Sequence, residues 1–139
     1  MTIPNKTDLT GKVAVVTGGG GVLCSTIARA LAAAGAKVAV LDLREEAARK
    51  VADAIAAEGG VAKGYACNVL EKESLEKVRA AVEADLGPVD VLLNGAGGNH
   101  PKGTTSNEPP ANTTSKYMSF TYVPALGLIT PYVHSSNQE

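Results

Sequence analysis

The 139-residue sequence contains no tryptophan, one phenylalanine, two cysteines and two histidines. Cys24 and Cys67 do not make a disulfide framework and do not have the spacing of zinc ligands, so no metal site is predicted. No apolar run approaches the roughly 18 residues that a membrane span requires. The segment Met1–Leu9 has no apolar signal core, which argues against secretion. These absences predict a cytoplasmic protein that does not enter the membrane.

A strong charge of either sign is also absent. The sequence has 13 Lys and Arg residues against 14 Asp and Glu residues, and its net charge is −1. A protein that neutralises many phosphates is expected to be basic, so no nucleic-acid partner is predicted. The hydrophobic fraction of 45% and the charged fraction of 19% favour a packed core over global disorder.

The composition changes near residue 98. Residues 98–139 contain five of the seven prolines, four of the five aromatic residues and eleven Ser or Thr residues, with no clean helical or alternating period. This composition is typical of an irregular chain. We therefore predict a domain over residues 1–97, followed by a loop and an irregular tail over residues 98–139.

Residues 11–97 alternate between short apolar segments and amphipathic segments, which predicts repeated βα units. Four segments rich in β-branched residues are the predicted strands: Lys12–Thr17, Lys37–Leu43, Val61–Asn68 and Val89–Asn94. Helices are predicted over residues 23–34 and 44–58, and a third helix precedes the fourth strand. Glycines at 35, 59 and 87 follow the helices and are expected to end them.

Each predicted helix has one apolar face. The first face carries Ile27, Ala30, Leu31 and Ala34; the second carries Ala48, Val51, Ala52 and Ile55; the third carries Leu75, Val78, Val82 and Leu86. Nearly continuous apolar strands indicate a parallel sheet that is covered on both faces. The predicted fold class is α/β, a Rossmann-like doubly wound sheet of about four strands in the order 3-2-1-4.

Four consecutive glycines, Gly18–Gly21, lie between the first predicted strand and the first helix. Glycine permits a sharp turn and a close approach of the backbone to a ligand. The helix that follows presents unpaired N–H groups and a partial positive charge. This combination suits a pyrophosphate, although a purely structural turn is the alternative.

Asp42 ends the second predicted strand, 24 residues after Gly18. A carboxylate at this position accepts hydrogen bonds from a ribose diol and repels a 2′-phosphate, so NAD is favoured over NADP. Arg44 weakens this preference because it is placed to pair with such a phosphate. The alternative for Asp42 is a solvated turn residue.

Two asparagines end the third and fourth strands. Asn68 has an amide that both donates and accepts, which fits an adenine edge; the alternative is an Asx cap on the following helix. Asn94 begins the sequence Asn-Gly-Ala-Gly at 94–97, whose glycines let the chain pass close to a bound ribose.

These features together resemble the short-chain dehydrogenase/reductase family over about residues 8–100. Within it, GGGGVLC at 18–24 and GAGGNHPK at 95–102 are similar to the D-mannonate (fructuronate) oxidoreductase branch. The resemblance implies an NAD(P)-dependent oxidoreductase that acts on a CH–OH group, such as that of a sugar acid. The predicted cofactor-binding residues are Gly18, Gly20, Gly21, Val22, Leu23, Asp42, Arg44, Asn68, Val69, Asn94, Gly95, Ala96 and Gly97.

The sequence departs from the family pattern at three positions. Val22 and Cys24 replace the second and third glycines of TGxxxGxG, and Gly95 replaces the second asparagine of NNAG. Val22 and Leu23 still offer backbone N–H groups to a phosphate. Cys24 lies where a small side chain permits helix–strand packing, and its alternative role is a thiol activated at a helix N-terminus.

The catalytic constellation of the family is missing. In the family, a tyrosine donates the proton and a lysine four residues later lowers its pKa, but no tyrosine of this sequence (65, 117, 122 or 132) has a lysine four residues later. No catalytic residue is therefore predicted. We expect a truncated, cofactor-binding half of a dehydrogenase that is inactive alone. His100 and Lys102 either face a substrate carboxylate or belong to an ordinary loop.

Two other functions are compatible with part of this pattern. One is a non-catalytic nucleotide-binding fragment or truncated gene product. The other is a methyltransferase, against which the Thr17-Gly18 start and the sequence at 94–97 argue. A half-sheet leaves the fourth strand with an unpaired edge, so we predict self-association through that edge, low stability, or dependence on the tail to cover it.

Overall fold

The computed structural model describes residues 7–97, 117–123 and 128–134. The chain separates into two compact units, Met1–Ala96 and Gly97–Glu139. The first unit contains β1 (Val13–Thr17), α1 (Val22–Ala33), β2 (Lys37–Asp42), α2 (Glu45–Ala57), β3 (Val61–Ala66), α3 (Lys72–Asp85) and β4 (Val91–Asn94). The predicted strands and the first two predicted helices end within two residues of these bounds.

The four strands form one parallel sheet in the order β3-β2-β1-β4, which confirms the predicted fold class and strand order. Thr17, the last residue of β1, lies opposite Leu41 on one side and Asn94 on the other. Asp42 lies opposite Ala66 at the end of β3. The carboxyl ends of all four strands therefore lie along one edge of the sheet.

Helices cover the two faces of the sheet unequally. Alternate residues of β1 point to opposite faces, so Ala14 and Val16 pack in the cluster formed with α1 and α2, while Val13 and Val15 pack with α3. All five residues of β1 are buried, as expected for the central strand. The residues of β4 are only partly buried or exposed because β4 is an edge strand.

The predicted buried face is confirmed for α2, where Ala48, Val51, Ala52 and Ile55 are buried. It is also confirmed for Leu75, Val78 and Val82 of α3, and Leu86 packs against their cluster just beyond the helix.

The prediction for α1 is wrong: its buried residues are Cys24, Ala28 and Ala32, whereas Ile27, Ala30, Leu31 and Ala34 are half-buried. The three buried side chains form a row of small residues at a spacing of four. Such a row lets the helix axis lie close to the sheet. The larger Leu31 is only partly buried and packs against the same cluster.

Three glycines carry the chain from each helix back to the next strand. Gly35, Gly59 and Gly87 have φ angles of +99°, +86° and +110°, the left-handed region that glycine adopts at low cost. The predicted helix ends are thus confirmed in position.

The second unit contains an antiparallel pair, β5 (Tyr117–Val123) and β6 (Leu128–His134), with Tyr117 opposite His134. The tail is therefore not irregular throughout, which differs from the expectation. Aromatic and β-branched residues, which are frequent in both segments, favour extended backbone. Among the described residues, no helix is both long enough and apolar enough to cross a membrane.

Candidate functional site

The turn after β1 packs directly against the backbone that follows β4. Gly18 has a φ of +63°, and a Cβ atom on it would lie 2.8 Å from the carbonyl oxygen of Gly95 and 2.9 Å from the amide nitrogen of Ala96. A side chain at residue 18 would therefore separate the two segments. The predicted sharp turn is present, and a close approach between two parts of the chain is one reason for its glycine.

The hydroxyl of Thr17 joins the same two segments. Its side chain is 2% exposed, and Oγ1 accepts hydrogen bonds from the amide nitrogens of Gly95 and Ala96, both at 3.1 Å. The sequence analysis missed this role. The available signal was a single hydroxyl residue at the end of an otherwise apolar strand, VAVVT.

The Asp42 carboxylate lies beside the glycine turn. Its Oδ2 accepts a hydrogen bond from the Gly20 amide at 3.0 Å, and its Oδ1 accepts one from the Arg44 amide at 3.0 Å. A Cβ atom on Gly20 would lie 2.8 Å from Oδ2, so glycine is what allows this contact. Each carboxylate oxygen has two acceptor positions, so both retain one for a further donor such as a ribose hydroxyl.

Helix α1 begins at Val22, with Gly21 as its N-cap and no side-chain cap. The Ser25 amide donates to the Gly21 carbonyl at 2.9 Å, so the preceding amides of the first turn have no acceptor within the helix. The side chains of Val22 and Leu23 are 90% and 73% exposed, and the first turn carries no acidic residue. These N–H groups and the helix dipole suit an anion such as a diphosphate.

Asn68 forms an Asx-type turn ahead of α3, but it is not the cap of that helix, which was the alternative, because the N-cap is Glu71 and has no side-chain cap. Its Oδ1 accepts from the Leu70 amide at 3.1 Å, and its Nδ2 donates to Glu71 Oε1 at 2.9 Å. Val69 packs against the cluster beneath α3. The structure thus gives Asn68 a structural role in an Asx-type turn, and an adenine contact by Asn68 or Val69 stays a prediction.

The remaining predicted residues lie at the end of β4 and just after it. Asn94 is exposed at the end of the strand, and the next two residues are bonded to Thr17. Gly97 has no atom within 4 Å of a Cβ placed on it. His100 and Lys102 lie outside the described residues. Within the described part of the chain, no group of three His, Cys, Asp or Glu side chains is arranged to hold a metal ion.

The profile of the short chain dehydrogenase family matches residues 12–132. The chain belongs to this family. The match extends beyond the stretch of about residues 8–100 on which the sequence-based resemblance depended. The matched range includes all four strands of the sheet, the glycine turn and Asp42.

Curated members of the short chain dehydrogenase family align with the same region. An uncharacterized oxidoreductase of Haemophilus influenzae is 52% identical over 108 residues, which are 78% of this chain and 38% of the relative. An uncharacterized oxidoreductase of Bacillus subtilis is 48% identical over 106 residues, 76% of this chain and 38% of the relative. The chain thus spans about two fifths of the length of these relatives.

Two solved structures are also similar to this chain. A putative D-mannonate oxidoreductase from Haemophilus influenzae, crystallised with bound NAD, superposes with a TM-score of 0.68 at 49% identity, over 78% of this chain and 39% of that one. A hydroxysteroid dehydrogenase from Escherichia coli superposes with a TM-score of 0.67 at 35% identity, over 76% and 43%.

One tyrosine of this family member lies in the first unit. The Tyr65 hydroxyl donates to Asp85 Oδ2 at 2.8 Å, and Lys63 Nζ lies 2.6 Å from the same oxygen. Burial of the ring and then the neighbouring carboxylate raise the pKa of Tyr65. The phenol therefore keeps its proton and joins β3 to the end of α3, which is a structural role.

Proposed function

We propose that the chain binds a dinucleotide across the carboxyl edge of its sheet, with the diphosphate at the glycine turn and the adenosine ribose at Asp42. The observation that carries this proposal is the contact between Asp42 and the Gly20 amide, because it holds a carboxylate directly beside the glycine turn and the start of α1. The predicted contacts by Val22, Leu23 and Asn94–Gly97 are part of the same proposal.

We propose further that NAD is bound in preference to NADP. A 2′-phosphate at Asp42 would meet a carboxylate whose two oxygens already accept hydrogen bonds from Gly20 and Arg44, and like charges repel. The side chain of Arg44, two residues after Asp42, is exposed, and its positive charge opposes the preference. Support also comes from the NAD-bound structural relative.

The proposed reaction class is oxidation of a CH–OH group, or the reverse reduction, with a sugar acid such as D-mannonate or fructuronate as substrate. The name of the NAD-bound relative supports this substrate class. The 139 residues contain no Tyr-x-x-x-Lys sequence, so we propose that they do not turn over substrate alone. A non-catalytic nucleotide-binding role is the second candidate function.

Calorimetric titration of the purified chain with NAD, NADP and S-adenosylmethionine tests these proposals. We expect NAD to bind more tightly than NADP, and S-adenosylmethionine not to bind. An assay of D-mannonate and fructuronate turnover then separates the two candidate functions. Binding of S-adenosylmethionine alone would exclude the dinucleotide site, and turnover would exclude inactivity.

We also propose that the chain self-associates through β4. In the four-stranded sheet β4 pairs only with β1, and Val91, Leu92 and Leu93 are less buried than the residues of β1. Unpaired edge strands are ready to pair with another chain. Sedimentation velocity over a range of concentrations is expected to show association, and a stable monomer would contradict it.

A cytoplasmic location is part of the proposal, because both described cysteines are free thiols.

A further inference from the structure

Two of the departures from the family pattern meet in space. Cys24 lies in the first turn of α1 and is 8% exposed, and Gly95 is the first residue after β4. A Cβ atom on Gly95 would overlap the Cys24 Sγ atom. The thiol therefore fills the volume that a side chain at residue 95 would need.

We propose that Cys24 and Gly95 are a size-complementary pair that fixes the spacing between the glycine turn and the backbone after β4, which makes Cys24 a positioning residue of the dinucleotide site. The proposal rests on the proposed function for the identity of the ligand. The pairing itself rests only on the packing of the two residues.

The surroundings of Gly95 show why the thiol sets the spacing. Hydrogen bonds from the Gly95 and Ala96 amides to Thr17 Oγ1 hold this backbone against β1. A Cβ on Gly95 would also lie 2.8 Å from the Thr17 carbonyl oxygen, so a new side chain there would meet the end of β1 as well as the thiol.

The Sγ atom, rather than the Cys24 backbone, causes the overlap. The Cβ of Cys24 would lie 3.5 Å from a Cβ on Gly95, which is an ordinary van der Waals distance. Replacing Cys24 by alanine therefore removes the obstructing atom and keeps a good helix former in α1. The contact with the Thr17 carbonyl remains, so relief is expected to be large but incomplete.

The position of Cys24 and Gly95 predicts which half of the dinucleotide needs this pair for binding. Strands β2 and β4 flank β1 on opposite sides, so Asp42 and the backbone at Gly95 lie on opposite sides of the glycine turn. A displaced backbone after β4 should weaken binding of NAD, which reaches past the turn. It should leave ADP, which needs only Asp42 and the turn, nearly unaffected.

The experiment is a double-mutant cycle on the full chain with Cys24→Ala, Gly95→Ala and the double variant. Cys67→Ala combined with Gly95→Ala is the matched control, because Cys67 is also a buried free thiol but packs in the cluster beneath α3. Thermal unfolding without ligand and calorimetric affinities for NAD and ADP are measured for every variant.

Gly95→Ala is expected to lower the Tm by about 5–10 °C and to weaken NAD binding at least about tenfold, with less than about a threefold change for ADP. In the Gly95→Ala background, Cys24→Ala is expected to restore most of the lost Tm and most of the lost NAD affinity. Cys67→Ala is expected to restore neither. If the effects of Cys24→Ala and Gly95→Ala simply add, or if Cys67→Ala rescues Gly95→Ala equally well, the proposed pairing of Cys24 with Gly95 is overturned. Equal losses for NAD and ADP would overturn the positioning role. If the parent chain binds no NAD, the proposed function fails, while the unfolding cycle still decides the pair.

Discussion

The two edges of the four-stranded sheet use glycine partly for different physical reasons. At the carboxyl edge, a Cβ on Gly18 or Gly20 would meet atoms of other segments at 2.8 Å or less. At the amino edge, Gly59 and Gly87 have open space or ordinary contacts and supply a positive φ, whereas Gly35 combines a positive φ with a Cβ position 2.8 Å from Thr10 Oγ1. Close approach between segments thus explains the glycines of the turn after β1, and a positive φ is what the helix-ending glycines share.

The charged groups also differ between the two edges. At the amino edge, Asp90 accepts from the Val13 amide at 2.9 Å and pairs with Lys12 at 3.1 Å. At the carboxyl edge, Asp42 accepts from the backbone amides of Gly20 and Arg44 and forms no ion pair with the residues that the structure describes. The acid of the amino edge is thus paired with a cation, while that of the carboxyl edge is bonded to backbone amides.

The largest expected effect that separates the edges is on ligand binding. Asp42→Ala removes the proposed ribose acceptors, and hydrogen bonds to a charged group are strong, so we expect NAD affinity to fall roughly 10- to 100-fold. NADP affinity should fall less, because the repulsion of its phosphate is also removed. Calorimetry measures both. Asp53→Ala on the exposed surface of α2 is the charge-matched control, and an equal loss there would contradict the assignment.

The next largest effect is expected on stability, where the end of β1 is bonded to the backbone after β4. Thr17→Val keeps the shape of the side chain but leaves the Gly95 and Ala96 amides without their acceptor. We expect a loss of about 2 kcal/mol in the free energy of unfolding, measured by urea denaturation. Thr17→Ser keeps the hydroxyl and should lose about half as much or less. Equal stability of the two variants would show that the hydroxyl does not join the segments.

A smaller effect is expected at the amino edge. Gly59→Ala introduces a side chain at a φ of +86° with nothing within 4 Å, so only backbone strain is added. The expected loss of unfolding free energy is about 1 kcal/mol, with NAD affinity unchanged. Thermal unfolding and calorimetry measure the two quantities. A clear fall in NAD affinity would mean that the edges are not independent.

The smallest expected effect is on the stability of the protein at acidic pH. The hydrogen bond from the Val13 amide and then the Lys12 side chain lower the pKa of Asp90 below its ordinary value. A carboxyl with a lowered pKa in the folded state stabilises the protein above its unfolded pKa of about 4, and this contribution is lost as the pH falls through the folded value.

Asp90→Asn should therefore lower stability slightly at pH 7 and give a shallower loss on acidification below about pH 4. Urea denaturation at several pH values measures how steeply the free energy of unfolding falls with pH in the variant and in the parent chain, with Asp53→Asn as control. An Asp90→Asn curve that runs parallel to that of the parent chain would contradict this assignment.

Much of the first unit was predictable because its signals are local. The buried face of α2 follows from the spacing of Ala48, Val51, Ala52 and Ile55, and Gly59 ends that helix where the sequence indicates. The buried face of α1 was not predictable in this way. Its sequence is apolar on most sides, so periodicity alone did not select the small residues Cys24, Ala28 and Ala32.

The candidate site was predicted in its parts but not in its connections. The glycine turn, Asp42 and the sequence at 94–97 were found at their expected ends of strands. The roles of Thr17 and of the Asn68 turn were missed or left open. A hydroxyl or amide side chain has several possible partners, and its neighbours along the chain do not reveal which one it meets.

The sequence by itself determined the strands, the helices, their order in the sheet and the family, because hydrophobic periodicity and glycine placement act over a few neighbouring residues. Only the tertiary structure decided that Thr17 binds amides 78 and 79 positions away, and that Cys24 occupies the space beside Gly95. Such contacts depend on the register between β1 and β4, and register is a property of the assembled sheet rather than of either strand.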